Sequence, residues 1–215
     1  MSASVERPNG RTIDLTAVGG TAARIEDAAL DLFFERGYKS TSMRDIAQAC
    51  GITAAALYNH FPSKDQILYS MVLRLHEELE AAIVAAAEEA GADPRDRLAA
   101  LTRAHALVHT RHRKDARVAN SEIFSLEEPG RGVVVESRQR MATMFRETIE
   151  EGLERGVFDV SDVVVTTFAI INMGIRIAEW FSPEGRLPAE QVAEEHARLA
   201  LRMAGAKPRR NGGRK

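Results

Sequence analysis

Side chains suited to binding DNA are concentrated between Thr41 and Lys64, in the segment TSMRDIAQACGITAAALYNHFPSK. Within it, Ala47 is small enough to let two helices approach closely, and Gly51, four residues later, suits a turn that requires a positive φ. The positions that must face inward between the two helices are apolar: Ile46, Ile52 and Leu57. This spacing predicts a helix-turn-helix whose second helix presents to the major groove Thr53, Ala54, Ala55, Tyr58 and Asn59.

Three histidines, His105, His109 and His112, follow one another at steps of four and three residues and would share one stripe of a helix. With a nearby carboxylate such as Glu122, three imidazoles could bind a divalent metal ion. A polar helix face, or a hydrogen-bonding wall of a ligand pocket, accounts for the same spacing. We assign His105 and His109 to a ligand pocket and predict no metal site.

A second polar group lies inside an apolar helical segment, where Asn172, Arg176 and Trp180 follow one another at one-turn steps. An arginine among apolar side chains needs a partner or a path to solvent. An ion pair with Glu179 or Glu136 and a ligand anion both satisfy that need. The complete set of predicted ligand-binding residues is His105, His109, Glu122, Phe124, Phe145, Phe168, Asn172, Arg176 and Trp180.

The elements that carry these residues are predicted to be helices, because no stretch sustains an alternation of apolar and polar residues with period two. Apolar residues recur at helical spacing in about nine segments, which glycine, proline or capping residues separate. The predicted fold is therefore all-α. Its parts are a flexible arm at 1–20, a three-helix domain at 21–66, a larger helical domain at 67–206 and a disordered basic tail at 207–215.

The composition is ordinary for a soluble globular protein, with 45% hydrophobic and 28% charged residues. A net charge of −2 is far from that of a protein that coats DNA, so DNA binding requires a small surface. Cys50 is the only cysteine, which fits a cytoplasmic location. Charged residues or histidine interrupt the longest apolar stretches, and we predict neither a membrane span nor a secretory signal. No catalytic motif is recognised, so we predict that the protein is not an enzyme.

An ordered set of motifs lies in the N-terminal third: F-x-x-x-G-Y at 33–38, T-S-M-R-D-I-A at 41–47, Gly51, L-Y-N-H-F at 57–61 and Lys64. With these motifs the chain resembles the TetR family of bacterial transcriptional regulators over about residues 21–68. The rest of the chain matches that family in helical pattern and length. The resemblance implies a homodimeric repressor of a palindromic operator, with its effector pocket and dimer interface in the larger domain.

The resemblance also assigns contacts to the DNA backbone. Thr41 or Ser42 would cap the second helix and meet a phosphate, and Arg44 would contact a phosphate or a nearby base. Further backbone contacts are expected from Tyr58, His60 and Lys64, of which the lysine is the family's phosphate clamp.

Sequence readout is expected to be sparse. Because Ala54 and Ala55 can make only apolar contacts, hydrogen bonds to base edges depend mainly on Thr53 and Asn59. DNA shape, together with an arginine of the arm (Arg7 or Arg11), would supplement them.

The C-terminal part is also similar to the branch of this family that senses acyl-CoA thioesters. The similar stretches are E-x-G-x-x-x-G-V-F from Glu150 and W-F-S-P-E-G from Trp180 to Gly185. The similarity implies an acyl-CoA effector, with a hydrophobic drug or metabolite as the alternative. For the chain as a whole, the alternative is a helical ligand-binding protein without specific DNA binding. No cofactor is expected.

Overall fold

The computed structural model describes residues 4–6 and 12–209, with side chains from residue 20 onward. Two of the predictions concern residues outside this range. The arginines expected to reach DNA from the arm, Arg7 and Arg11, are not described, and neither is most of the predicted basic tail.

The first described elements precede the three-helix domain. Strand β1 (Ser4–Glu6) pairs antiparallel with β2 (Thr12–Asp14), and α1 (Leu15–Arg36) follows directly. The sequence predicted neither this strand pair nor a helix start before Thr21. Two adjacent glycines, Gly19 and Gly20, weaken the helical pattern at that point, yet the helix runs through them.

The remainder of the described chain is helical, as predicted. After α1 come α2 (Met43–Cys50), α3 (Ala54–His60), α4 (Lys64–Glu89), α5 (Pro94–Arg111), α6 (Arg113–Glu122), a 3-10 turn (Ile123–Ser125), α7 (Gly130–Glu154), α8 (Val163–Ile175), α9 (Ile177–Trp180) and α10 (Ala189–Met203). Only Arg176 separates α8 from α9. Counted as one helix, these two bring the helices of the described residues to the nine predicted.

Side-chain caps begin several helices at the positions that the sequence indicated. The Ser63 hydroxyl accepts a hydrogen bond from the Gln66 amide (3.2 Å) at the start of α4. Asp93 accepts one from the Arg95 amide (2.9 Å) ahead of Pro94 in α5. Such caps satisfy amide groups that have no partner within the helix.

One hydrophobic core joins the three-helix domain to the larger domain. Ile46 and Leu57 are fully buried in the small domain, Ile67 at the start of α4, and Phe145 in the middle of α7. All four belong to a single contiguous cluster of buried side chains. A shift of α4 or α7 therefore reaches the DNA-binding helices through packed side chains rather than through a loop.

The end of α7 packs closely against the chain that follows it. The Gly152 carbonyl accepts hydrogen bonds from the amides of Val157 (2.9 Å) and Phe158 (3.0 Å). A Cβ at residue 152 would overlap the Phe158 ring, which is buried. Gly152, the first glycine of the E-x-G-x-x-x-G-V-F motif, is therefore required by packing.

We expect Gly152→Ala to lower the free energy of unfolding by about 1–3 kcal/mol, the usual cost of overpacking a core. Urea denaturation of the purified variant measures this cost. Gly20→Ala is the matched control, because a Cβ at that helical position has nothing within 4 Å and alanine favours the helix. Equal stability of the two variants would contradict the packing interpretation.

By length and composition, the segment Val163–Trp180 could cross a membrane, with a mean hydropathy of 1.4 over 18 residues. Only 28% of the segment is buried. Its hydropathy corrects the prediction that every long apolar stretch is interrupted. The charged residues of the segment, Arg176 and Glu179, lie at its C-terminal end. Its exposed apolar face lies beside α10 and is a candidate protein contact surface.

Candidate functional site

The turn between α2 and α3 has the geometry that the spacing predicted. Gly51 has φ 67°, and its amide donates to the Gln48 carbonyl (3.1 Å). Before α2, Ser42 and Asp45 form a reciprocal cap: the Ser42 hydroxyl accepts from the Asp45 amide (3.2 Å), and the Asp45 carboxylate accepts from the Ser42 amide (2.8 Å). The two helices are thus held at a fixed angle.

The outer face of this motif carries most of the predicted DNA-binding residues. Arg44, Thr53, Ala55, Tyr58 and Asn59 are exposed, with 53% of Tyr58 accessible, while Ala54 and His60 are half-buried. The Thr53 hydroxyl oxygen accepts from the Ala56 amide (3.1 Å) and so caps α3. Its proton remains free to be donated to a base edge or a phosphate.

Thr41 does not belong to this face. Its side chain is buried, and its hydroxyl donates to the carbonyls of Gly37 (3.0 Å) and Leu32 (3.4 Å) at the end of α1. The prediction that Thr41 meets DNA through its hydroxyl is therefore not supported, because that group already anchors the loop. Ser42 provides the cap.

Lys64 is tied to the same loop from the other side. Its ammonium group donates to the carbonyls of Tyr38 (2.7 Å) and Thr41 (2.7 Å) and lies 4.2 Å from the centre of the Tyr38 ring. Partial burial lowers the pKa of Lys64. An ammonium has three donors, so one remains for a phosphate. Lys64 therefore positions the helix-turn-helix besides facing DNA.

A cavity of about 220 Å³ lies in the larger domain between α4, α5, α7 and α8. Its apolar walls are Leu75, Leu79, Met141, Phe145, Ile171 and Ile175, and Phe168 closes one side. A concave apolar space with a few polar groups is the usual form of a small-molecule site. The predicted pocket residues Phe145 and Phe168 are therefore found together.

The polar lining of the cavity is His76, His105, His109, Asn120, Arg138 and Asn172. His105 and His109 stack with ring centres 4.3 Å apart, and the edge of His105 meets the Phe145 ring (6.1 Å). Gly174 makes room for this arrangement, because a Cβ there would overlap the His105 ring.

Four predicted ligand-binding residues lie outside this cavity. Phe124 is 85% exposed in the 3-10 turn, and Glu122 accepts from the Ser125 hydroxyl (2.8 Å). Trp180 stacks on His196 (6.0 Å between ring centres) at another surface. The Arg176 side chain is 74% exposed, 3.8 Å from Glu179, and lines an outer cleft next to the cavity.

The third histidine of the stripe also turns away from the cavity. His112 Nε2 lies 2.8 Å from Glu78 Oε1 on the surface. Among the described residues no group of three His, Cys, Asp or Glu side chains is arranged to hold a metal ion. Helix α5 ends at Arg111, and His112 follows with the non-helical angles φ −106° and ψ 44°, so it does not continue the wall that His105 and His109 share.

Three polar residues of the cavity were missed from the sequence: His76, Asn120 and Arg138. The signal for Arg138 is its position in an apolar stripe, since Val134, Met141 and Phe145 lie four residues before it and three and seven after it. The signal for His76 is of the same kind, because it lies on the buried, apolar face of α4. Polar residues in such a stripe either pair with each other or meet a ligand.

Burial keeps the histidines of the cavity neutral. It lowers the pKa of His76 to about 4 and that of His109 to about 4, and it lowers the pKa of His105 well below its usual value. His76 Nδ1 donates to the Val72 carbonyl (2.7 Å), which leaves Nε2 as an acceptor. His109 Nδ1 likewise lies 2.9 Å from the His105 carbonyl.

These shifts predict acid sensitivity. In the unfolded chain these rings bind protons near pH 6.5, whereas in the folded protein His76 and His109 do so near pH 4, so the free energy of unfolding falls as the pH is lowered through this window. We expect wild type to lose about 2 kcal/mol more than His109→Gln between pH ~7.5 and ~5 in urea denaturation. Parallel pH profiles of the two proteins would contradict the assignment of a neutral, buried His109.

Two helices connect the cavity to the DNA-binding domain. Helix α4 carries His76 at the cavity and Lys64 at the helix-turn-helix, twelve residues or about 18 Å apart. Helix α6 carries Asn120 at the cavity, and near its start the guanidinium of Arg117 lies 5.0 Å from the centre of the Phe34 ring of α1. A change in the shape of the cavity can thus move both ends of the small domain.

Residues 91–204 match the family model described as tetracyclin repressor-like, C-terminal domain, and residues 25–71 match that of bacterial regulatory proteins, tetR family. The chain belongs to the TetR family. The N-terminal match contains the helix-turn-helix, and the C-terminal match contains α5, α7 and α8 of the cavity.

Individual TetR-family relatives cover most of the chain. The transcriptional repressor KstR2 of Mycobacterium tuberculosis (strain H37Rv) is 26% identical over 187 residues, 86% of this chain and 92% of that protein. A TetR-family regulatory protein from Rhodococcus RHA1 has 31% identity and a TM-score of 0.81, covering 87% of this chain and 98% of that one. AibR, solved with isovaleryl coenzyme A and operator DNA, has 27% identity and a TM-score of 0.76, covering 87% and 100%.

These similarities establish the general function. The protein is a transcriptional regulator of the TetR-family type, with an N-terminal DNA-binding domain and a C-terminal ligand-binding domain. Its relatives are transcriptional regulators rather than enzymes.

Proposed function

We propose that this TetR-family protein is a cytoplasmic homodimer that represses transcription from a palindromic operator and is released by a small hydrophobic or acyl-CoA-type effector. The observation that carries the proposal is the position of α4, which lines an apolar cavity with His76 and supports the helix-turn-helix with Lys64. A helical ligand-binding protein without specific DNA binding remains the second candidate, and Ala54 and Ala55 on the DNA-facing side of α3 favour it.

The DNA contacts of the repressor would come from the outer face of α2 and α3. Tyr58 and Lys64 would meet phosphates, and Thr53 and Asn59 would read base edges. Ser42 and Arg44 would add contacts at the start of α2, and His60 at the end of α3. Thr41 would serve only to hold the loop.

The dimer would form through the exposed apolar face of α8 together with α10. The face contains Val164, Val165 and Phe168 on α8 and Leu199 and Met203 on α10, each at least 38% exposed in the single chain. Contiguous apolar patches of this kind are typical of protein interfaces. A two-fold axis here would place the two recognition helices on successive major grooves, about 34–36 Å apart.

The effector would bind in the cavity of the larger domain. The complex of AibR with isovaleryl coenzyme A supports an acyl-CoA-type ligand, because AibR shares this fold over nearly all of its chain. Arg176, in the outer cleft beside the cavity, would lie near the charged part of such a ligand. Binding would favour a conformation in which the recognition helices no longer match the operator, since an effector acts only through unequal affinity for the two states.

Fluorescence anisotropy with the DNA upstream of the protein's own gene, in excess unrelated DNA, tests operator binding. We expect specific binding that Tyr58→Ala weakens by about tenfold through loss of a phosphate contact. Tyr69→Ala is a tyrosine control outside the DNA-binding face. If a genome-wide selection of DNA fragments finds no preferred sequence, the repressor proposal fails and the second candidate stands.

A further inference from the structure

The cavity contains a cation that no acidic side chain neutralises. The guanidinium of Arg138 donates from Nε to His76 Nε2 (3.0 Å) and from Nη2 to Asn120 Oδ1 (3.0 Å) and the Ala119 carbonyl (3.5 Å). All three acceptors are neutral. His76 offers no negative charge, because an imidazole ring is neutral or cationic; here Nδ1 donates to the Val72 carbonyl and Nε2 accepts from Arg138.

Two acidic residues of this region, Glu80 and Glu179, are already paired. Glu80 accepts from Arg140 (2.7 and 2.8 Å) and from the Ser137 hydroxyl (2.8 Å). Glu179 lies 3.6 Å from Arg117 and 3.8 Å from Arg176. Within the described part of the chain, Arg138 forms no ion pair, and burial lowers its pKa. A partly buried guanidinium without a counter-charge is unfavourable, so an anion brought by a ligand would be attracted to it.

Arg138 lies at the boundary between the cavity and the outer cleft, where the anionic group of a ligand would meet its apolar part. It lines both the cavity and the outer cleft that Ser121 and Arg176 also line. Inward from Arg138, the lining is largely apolar. The volume of about 220 Å³ lies below the usual range of about 300–1,000 Å³ for small-molecule pockets, which favours a small ligand. The site is therefore shaped for a short apolar chain with a charged group at the entrance.

We propose that the effector is a free short-chain carboxylic acid whose carboxylate pairs with Arg138 and whose hydrocarbon chain fills the cavity. The proposal rests on the proposed function and narrows its effector class. In a thioester of the same chain the acyl carbonyl is uncharged, so the group beside Arg138 would be a neutral acceptor in place of a carboxylate. Arg138 favours the acid because guanidinium and carboxylate form two parallel charge-assisted hydrogen bonds.

The test compares four probes without DNA: hexanoate, a methyl-branched isomer, hexanamide and hexanoyl-CoA. Calorimetry and thermal unfolding measure their binding to the full chain, because a ligand that binds only the folded state raises its Tm. We expect both acids to bind and to raise the Tm, and hexanamide to bind at least about tenfold more weakly because it lacks the charge.

Variants separate ligand binding from a structural contribution of Arg138. Arg138→Met should lose at least about tenfold in hexanoate affinity, and hexanoate should no longer raise its Tm above the variant's own ligand-free value. Arg138→Lys, which keeps the charge, should retain part of the affinity. Arg146→Met is the matched control, an exposed arginine on α7 whose nearest carboxylate, Glu150, is 3.7 Å away.

Three outcomes overturn the proposal: equal binding of hexanoate and hexanamide, tighter binding of hexanoyl-CoA that Arg138→Met does not change, or no binding of the acids. In each case binding of ligand-free protein to the operator is measured separately. Specific operator binding would then leave the repressor proposal standing while the carboxylic acid is rejected.

Discussion

Val165→Glu should convert the protein to a monomer and weaken operator binding by about 100-fold or more, because a carboxylate cannot be buried in an apolar interface without a partner. Val165 is 66% exposed at the centre of the apolar face of α8, and two copies would meet at a two-fold axis. Light scattering after gel filtration measures the mass, and anisotropy measures operator binding.

The control for this variant is Val84→Glu. Val84 is also an exposed valine within a helix, at 38%, but it lies on α4 away from that face. It should leave both the mass and the affinity unchanged. A dimeric Val165→Glu would show that another surface joins the subunits.

Lys64→Met should reduce operator affinity and stability together. The ammonium satisfies the carbonyls of Tyr38 and Thr41, and methionine would leave both without this donor. The Tyr38 carbonyl keeps the Thr41 amide as a donor (3.2 Å), so we expect a loss of about 1 kcal/mol in the free energy of unfolding, mainly from the Thr41 carbonyl. Because the loop before α2 would lose its anchor, operator affinity should fall by more than one phosphate contact costs.

Lys39→Met tests whether the charge alone is responsible. Lys39 is an exposed lysine in the same loop, so its removal changes the net charge equally. We expect Lys39→Met to keep the stability of wild type and to lose only a little DNA affinity. If both variants lose the same affinity and neither loses stability, Lys64 acts only as a surface charge.

The DNA-binding motif could be predicted closely because its geometry is local. Gly51 needs a positive φ, and Ile46 and Leu57 need a shared interior, whatever the rest of the chain does. Thr41 was predicted on the DNA-binding face but is buried, because its position depends on contacts with residues farther away in the chain. A threonine before a helix can cap it or be buried, and only the packing of α1 against the loop decides between them.

The cavity was predictable only in part. Some of its residues lie on helices whose apolar faces indicate burial, and the structure brings them together in the cavity: His105, His109, Phe145 and Phe168. Phe124 was misplaced because its short 3-10 turn has no periodicity that would show which side faces solvent. Arg138 was missed because its importance depends on three partners from α4 and α6, and no local pattern brings distant helices together.

The acyl-CoA resemblance illustrates another limit. Its E-x-G-x-x-x-G-V-F stretch forms the end of α7, where Gly152 makes room for Phe158 and Gly156 adopts φ 66°. These residues have a packing function that any regulator with this helix end would need. Such a motif indicates the architecture and leaves the ligand undetermined.

Phe168 closes the cavity and is also 54% exposed on the apolar face of α8. Because this side chain belongs to both the proposed effector site and the proposed dimer interface, we expect effector affinity and subunit affinity to be linked. If effector binding changes the association constant of the subunits by some factor, association changes the affinity for the effector by the same factor. The half-saturating effector concentration would then change as the protein is diluted, and in a cell it would depend on how many copies of the regulator are present.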